Sequence, residues 1–261
     1  MSERIILVHG SCHGAWVWYK VLATLRARGY SVEAIDLGGA GADPRRIPED
    51  FSSFREYSQP LLDLVAASPP GEKLVLVGHM FGGLSLALAM DAFPEKIAVA
   101  VFLSAMMPDT THPPSYPVVK HLEKFSYLYK DIEFTRVMIP AKEEALSVTR
   151  LGPEFLATNL YQNCNLEDVT LGSLLMRPTS LFKEELGNEP AFSLEGYGSV
   201  RKVYIVSQED AAISADFQRW MIQNNPVEKV MEIEGADHMA MLSKPEELCG
   251  CLENIVKNYG N

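Results

Sequence analysis

Short, continuous runs of apolar residues alternate along the chain with longer segments in which apolar positions recur at helical spacing. Such runs are typical of strands buried on both faces of a parallel sheet, and the longer segments favour helices that cover the sheet. The runs at residues 4–9, 31–35, 75–77, 97–103, 202–207 and 227–233 predict strands, and the segments 15–28, 50–67, 84–90, 215–223 and 245–259 predict helices. This alternation predicts an α/β fold with a mostly parallel sheet and helices on both faces.

The alternation stops between residues 108 and 190. This stretch is rich in proline near its start, has an aromatic segment at 125–129 and contains helical pieces. Its apolar content argues against a disordered linker. We therefore predict one domain, with a core at 1–107 and 191–261 and a helical cap at 108–190. The cap, inserted after the strand at 97–103, is expected to wall off a pocket.

Charge and cysteine usage narrow the range of partners. The net charge of −11, from 23 basic and 34 acidic residues, disfavours nucleic acid and anionic membrane surfaces. The first residues lead directly into a strand without the apolar run of a signal peptide or membrane helix, so we expect a soluble, cytoplasmic protein. The four cysteines lack the spacing of a zinc site or disulfide framework. A small-molecule substrate and no cofactor are expected, and a homodimer is left open.

The turn after the third predicted strand has the glycine pattern of a nucleophile elbow. In G-x-S-x-G, the glycines let a strand and a helix pack closely around a strained turn that exposes the central side chain. Gly78 and Gly82 frame this turn, but its central residue is Met80. A thioether has no proton to release, so Met80 cannot attack an acyl carbon. From this segment alone, an ordinary strand-turn-helix with packing glycines is an equal alternative.

Two later strands each lead into a polar residue that is suited to acid/base chemistry. Asp210 follows the strand at 202–207, and His238 follows the strand at 227–233. Functional groups of open parallel sheets gather beyond the carboxyl ends of the strands. Either residue alone would more often be a solvated or locally bonded side chain. The chain order of turn, acid and histidine matches a hydrolase site, in which the backbone N–H groups of Ser11 and Phe81 are placed to form an oxyanion hole.

Sequence motifs around these residues extend over almost the whole chain. They are 9–16 (HGSCHGAW), 36–37 (DL), 77–79 (VGH), 106–109 (MMPD), 177–178 (RP), 197–200 (YGSV) and 235–239 (GADHM). Together they resemble the plant methylesterase, polyneuridine aldehyde esterase and hydroxynitrile lyase group of the α/β-hydrolases. The resemblance implies that Met80 stands at the position of the nucleophilic serine, with Asp210 as the acid and His238 as the base. It also implies that Ser11 and Phe81 supply the oxyanion-hole amides.

Two positions separate this chain from the cyanohydrin-cleaving branch of the group it resembles. That branch has a glutamate before the nucleophile and a lysine after the catalytic histidine. His79 and Met239 stand there in this sequence, as in the esterase branch. The resemblance therefore disfavours hydroxynitrile lyase activity.

Three functions remain open. A histidine, its carboxylate partner and two N–H donors can stabilise an enolate and move a proton, which suffices for decarboxylation of a β-keto acid, retro-aldol cleavage or an elimination. A decarboxylase-like or lyase-like enzyme is the first hypothesis, and it resembles methylketone synthase, whose pattern also lacks the serine. A methylesterase inactivated or engineered at Met80 is the second. The third is a non-catalytic protein that binds a small ligand.

Further residues are candidates for the pocket wall. They are Cys12, His13, Phe125, Tyr127, Tyr129, Leu181 and Met239. A metal centre made of His9, His13 and His238 is disfavoured, because turn geometry and hydrogen bonding explain the HGxxHG loop better. We expect no metal.

Overall fold

A computed structural model of the protein describes residues 4–139 and 144–260. The strands are β1 Arg4–Val8, β2 Ser31–Ile35, β3 Leu74–His79, β4 Ile97–Leu103, β5 Glu133–Ile139, β6 Glu144–Arg150, β7 Thr179–Ser180, β8 Lys202–Ser207 and β9 Lys229–Ile233. The helices are α1 Tyr19–Ala27, α2 Phe54–Ala67, α3 Gly82–Ala92, α4 Tyr116–Phe125, α5 Pro153–Phe155, α6 Leu166–Leu175, α7 Lys183–Asn188, α8 Ala215–Asn224, α9 Ala240–Ser243 and α10 Pro245–Tyr259. Among the described residues, no helix has the length and apolar character needed to cross a bilayer.

Six parallel strands form the central sheet in the order β2-β1-β3-β4-β8-β9. This sheet confirms the predicted α/β fold. The chain runs outward from β1 to β2 and then returns to build the other side of the sheet from β3. In open sheets of this kind, ligands bind beyond the carboxyl ends of the strands where the order reverses. The ends of β1 and β3 are therefore the expected position of a site.

The sheet separates two hydrophobic clusters. In β3, Leu74 and Leu76 belong to the cluster that contains residues of α2, α3 and α8. Val75 and Val77 belong to the other cluster, together with residues of α1 and α10. Because successive strand side chains point to opposite faces, a continuous apolar run is what a sheet covered on both sides requires.

Helix α2 begins later than its apolar pattern predicted. The prediction placed its start at residue 50, whereas the helix begins at Phe54. Ser53 caps it: the Ser53 Oγ accepts a hydrogen bond from the Glu56 N–H, and the Glu56 carboxylate accepts one from the Ser53 N–H. This capping box satisfies N–H groups that would otherwise lack partners in the first turn, and so fixes the start.

The sequence predicted a helical segment between β4 and β8. The structure shows strands there as well as helices. Besides α4, α6 and α7, the segment contains an antiparallel sheet of three strands in the order β5-β6-β7. Strand β5 is largely exposed and therefore lacks the apolar run by which the core strands were predicted. We call residues 108–190 the cap segment; its residues 140–143 lie outside the described residues.

Helix α3 starts in direct contact with the end of β1. A Cβ atom at Gly82 would lie 2.6 Å from the carbonyl oxygen of His9 and 3.0 Å from that of Val8. Real Cβ atoms do not approach backbone oxygens so closely, and neither backbone can move without disturbing the sheet. Only glycine at residue 82 therefore allows the turn after β3 to pack against β1.

We expect Gly82→Ala to lower the free energy of unfolding by about 1–3 kcal/mol, the usual cost of overpacking a core. Gly250→Ala is the matched control, because Gly250 lies inside α10, is exposed, and an added Cβ would meet nothing within 4 Å. This control should raise the free energy of unfolding by about 0.5–1 kcal/mol through helix propensity. Urea denaturation measures both, and similar effects in the two variants would contradict the packing argument.

Candidate active site

Met80 lies at the tip of the turn between β3 and α3. Its φ of 51° is in the left-handed region, which a residue with a side chain adopts only at a cost. Its carbonyl oxygen accepts a hydrogen bond of 2.8 Å from the Met106 N–H. A Cβ at Gly10 would lie 2.8 Å from the Cβ of Met80, so the glycine lets the loop after β1 approach this turn. The strained turn directs Met80 to a cavity above the sheet, whose wall it helps to form.

The contact predicted between His238 and Asp210 is present. His238 Nδ1 lies 2.8 Å from Asp210 Oδ2, and both side chains are almost fully buried. Asp210 Oδ1 also accepts hydrogen bonds from the N–H groups of Ala212 and Ile213. Because an ionised carboxylate only accepts, His238 Nδ1 carries the hydrogen and Nε2 is the remaining nitrogen.

His79, the residue before Met80, supports the backbone of His238. Its Nε2 donates a hydrogen bond of 2.9 Å to the carbonyl oxygen of His238, and the two ring centroids are 4.6 Å apart. Burial and then the neighbouring His238 hold the pKa of His79 well below its usual value. His79 is therefore neutral near pH 7 and links the end of β3 to the loop that carries His238.

Ser11 and Phe81 follow β1 and β3 and line the same cavity as Met80 and His238. Both residues are buried. In the part of the chain that the structure describes, neither backbone N–H donates a hydrogen bond to a protein acceptor. Buried residues whose N–H groups lack partners are uncommon in folded proteins, and here both belong to one cavity wall.

The cavity lies between the sheet and the cap segment and has a volume of about 60 Å³. Its other described wall residues are Met106, Val118, His121, Leu122, Tyr129, Ile132, Phe134, Thr149, Leu151, Phe155, Leu160, Leu181, Ala212 and Ile213. No lysine, arginine, aspartate or glutamate is among the described residues that line it. A charged ligand group would therefore find little there to replace its hydration.

Of the residues that the sequence suggested for the pocket wall, Tyr129 and Leu181 line this cavity. Phe125 does not, because its ring packs against His121 and Phe217 in the core. Tyr127 points outward and is 62% exposed. The orientation of residues in the cap segment depends on where its helices end, which spacing alone did not reveal.

Cys12, His13 and Met239 are buried behind the cavity wall and do not line it. Cys12 has a φ of 64°, and its Sγ is directed to the carbonyl oxygen of Thr149 at 3.6 Å. Burial raises the pKa of the Cys12 thiol to about 12, so it is not a nucleophile near pH 7. Met239 is fully enclosed in the hydrophobic cluster that covers β1 and β3 on one side.

The histidines of the HGxxHG loop have no nitrogen left for a metal ion. His9 Nδ1 donates to the Gly10 carbonyl oxygen, and Nε2 accepts from the Leu37 N–H. His13 Nδ1 donates to the Ser11 carbonyl oxygen, and Nε2 accepts from the Tyr161 hydroxyl. Burial lowers the pKa of His13 to about 3, so the ring is neutral and its hydrogen bonds fix the shape of the loop.

His121 lines the cavity, although no sequence pattern predicted it as a site residue. Its Nε2 donates to the Ala212 carbonyl oxygen at 2.8 Å, and its Nδ1 accepts from the Tyr129 hydroxyl at 2.5 Å. Burial lowers the pKa of His121 to about 4. A histidine on an amphipathic helix gives no hint of such a pair, because its partners come from two other segments. Thr149 was missed because β6 was not predicted.

The comparisons with known proteins agree with this architecture. The alpha/beta hydrolase family matches residues 5–250. Polyneuridine aldehyde esterase of Rauvolfia serpentina is 47% identical over 255 residues, which cover 97% of this chain and 96% of that protein. Alpha-hydroxynitrile lyase of Arabidopsis thaliana is 46% identical over 258 residues, which cover 99% of this chain and 98% of that protein.

Solved structures give the same result. A crystal structure of polyneuridine aldehyde esterase superposes with a TM-score of 0.94 at 46% identity, covering 98% of this chain and 99% of that one. A variant of tomato methylketone synthase I complexed with β-ketoheptanoate superposes with a TM-score of 0.88 at 38% identity, covering 99% of this chain and 98% of that one. The protein is thus an α/β-hydrolase of the plant esterase and lyase group.

Proposed function

We propose that this protein is a decarboxylase-like or lyase-like enzyme that acts on a small carbonyl substrate, with β-keto acids as its first substrate class. The observation that carries the proposal is the combination of Met80 at the tip of the turn with an intact His238–Asp210 pair. An enzyme that only lost activity would have no need to keep the pair. An enzyme with acid/base chemistry needs the pair and no nucleophile.

In this proposal Met80 stands where esterases of the group carry serine. The supporting features are the flanking glycines Gly78 and Gly82, the left-handed φ and the position directly after a core strand. A thioether cannot form an acyl-enzyme, so ester hydrolysis by the usual covalent route is excluded for this residue.

The reaction begins with the ketone oxygen of the substrate at the N–H groups of Ser11 and Phe81. The bond between the α carbon and the carboxylate then breaks, CO₂ leaves, and the electron pair passes to the enolate. The negative charge on the enolate oxygen is stabilised by the two N–H donors, which are fixed in place before the reaction. Since no lysine or arginine is among the described residues that line the cavity, the carboxylate charge is poorly solvated there and its loss is favoured.

His238 supplies the proton that completes the reaction. Protonated at Nε2, it donates to the α carbon of the enolate and yields the methyl ketone. The Asp210 carboxylate, hydrogen-bonded to Nδ1, stabilises the imidazolium and holds the ring in place. His238 then takes up a proton from water, so atoms and charge balance over the cycle.

The tomato methylketone synthase I variant that holds β-ketoheptanoate supports this substrate class. Polyneuridine aldehyde esterase, by its name, favours a second candidate, a carboxylic ester hydrolase whose activity is lost at Met80. In the first candidate the His238–Asp210 pair catalyses a reaction in the unmodified protein, and in the second it does not. Kinetics on a β-keto acid distinguishes the two candidates.

We expect the protein to decarboxylate β-ketoheptanoate and His238→Ala to lower kcat by a factor of about 10² or more, the usual contribution of general acid/base catalysis. His112→Ala is the matched control, since His112 forms a similar 2.8 Å contact with Asp109 but is largely exposed and lies outside the cavity. Release of CO₂ is the measurement, and the control should retain full activity.

Either of two results would contradict this proposal. One is the absence of turnover in the unmodified protein; tight binding of the acid without turnover would then indicate a ligand-binding protein. The other is turnover that His238→Ala leaves unchanged, which would exclude the role assigned to the pair.

We expect Met80→Ser to produce esterase activity on p-nitrophenyl acetate, about a hundredfold or more above that of the unmodified protein. The substitution places a hydroxyl on the cavity wall that also contains His238, the partner of Asp210. The N–H groups of Ser11 and Phe81 belong to the same wall. The double variant with His238→Ala should lose the gain. If Met80→Ser folds normally and remains inactive on several short esters, the assignment of residue 80 to the nucleophile position is wrong.

A further inference from the structure

Two hydroxyl groups of the cavity wall lack a hydrogen-bond partner among the described residues. They are Ser11 Oγ and Thr149 Oγ1. Each residue is 4% exposed, and each lines the same cavity as His238. A buried hydroxyl without a partner destabilises the folded state, so native proteins rarely keep one unless it meets a ligand or water.

The other side-chain polar groups of the described cavity wall are already engaged. The Tyr129 hydroxyl donates to His121, and the remaining His121 nitrogen donates to a carbonyl oxygen. His238 Nδ1 is bound to Asp210. This leaves the two hydroxyls and His238 Nε2 as the polar side-chain groups of the described cavity wall that have no partner within the protein.

The position of Ser11 limits where a ligand oxygen can lie. Covalent geometry keeps the Oγ of a serine roughly 3 Å from its own backbone nitrogen. An oxygen bound by Ser11 Oγ therefore lies close to an oxygen bound by the Ser11 N–H. In a 1,3-dicarbonyl compound, the two oxygens lie at a similar distance from each other when both C=O bonds point in the same direction.

Thr149 stands on the neighbouring wall. Strand β6 lies beside the loop after β1, since the Cys12 Sγ contacts the Thr149 carbonyl oxygen at 3.6 Å. The residue after Ser11 thus touches the backbone of Thr149, and Ser11 and Thr149 line the same cavity.

We propose that Ser11 and Thr149 form a hydroxyl pair that binds a second oxygen of the substrate, and that the substrate therefore carries an oxygen β to its reacting carbonyl. This rests on the proposed function in one respect, the placement of the reacting carbonyl at the N–H groups of Ser11 and Phe81. Both donors are neutral, so the pair recognises a carbonyl, ester or carboxylate oxygen without the strong attraction that a lysine or arginine would give.

Calorimetric titration with two non-reacting ligands tests the proposal: a β-diketone and the simple methyl ketone of the same chain length. We expect the unmodified protein to bind the diketone about tenfold more tightly. Ser11→Ala and Thr149→Val should each lower this ratio by about threefold or more, as loss of one neutral hydrogen bond implies. Ser11→Ala keeps the backbone N–H of residue 11, and Thr149→Val keeps the volume of residue 149.

Thr179→Val is the matched control. Thr179 pairs directly with Thr149 across β6 and β7 and is 3% exposed, but it does not line the cavity. Its substitution should leave the ratio unchanged. The proposal is overturned if Ser11→Ala and Thr149→Val keep the ratio, if Thr179→Val lowers it equally, or if neither ligand binds.

The binding ratio and the decarboxylation assay fail independently. A ratio that follows Ser11 and Thr149 without any turnover would refute the decarboxylase and retain the hydroxyl pair. Turnover that depends on His238, together with a binding ratio that Ser11→Ala and Thr149→Val leave unchanged, would retain the decarboxylase and refute the hydroxyl pair.

Discussion

The close approach of the turn at Met80 to the end of β1 is the contact on which the candidate site depends. Gly82 places the start of α3 against the carbonyl oxygens of β1, and Gly10 lets the next loop meet Met80 itself. These contacts bring Ser11 and Phe81, which are seventy residues apart in the chain, to one cavity wall. A larger residue in place of Gly10 or Gly82 would push the turn and the loop apart. The backbone N–H groups of Ser11 and Phe81 would then also move apart.

Burial gives the same region its electrostatic character. His9, His13, His79 and His121 all have their pKa lowered, first of all by burial, and each has at least one hydrogen bond that orients its ring. They are neutral fixed dipoles near pH 7. Among the described cavity-wall residues, only His238 has a carboxylate partner.

Sequence patterns predicted those parts of the structure that depend on burial alone. The core strands were evident because both faces are covered, and Asp210 and His238 because strand ends of a parallel sheet converge. Strand β5 was missed because side chains such as Phe134 and Met138 are 45% and 59% exposed and show no apolar run. Thr149 and His121 could not be found, since their place in the cavity depends on how the cap segment folds over the sheet.

The left-handed backbone at Met80 has a consequence for the helix that follows it. In a serine esterase, the cost of this conformation is explained by exposure of the nucleophile. Here the turn carries Met80, and the next residue, Phe81, lines the same cavity. The same backbone conformation also sets the direction in which α3 leaves β3, because α3 begins at Gly82, two residues after Met80. The turn therefore has a structural role that is independent of the chemistry of residue 80, and a substitution there can change the cavity wall while α3 keeps its place.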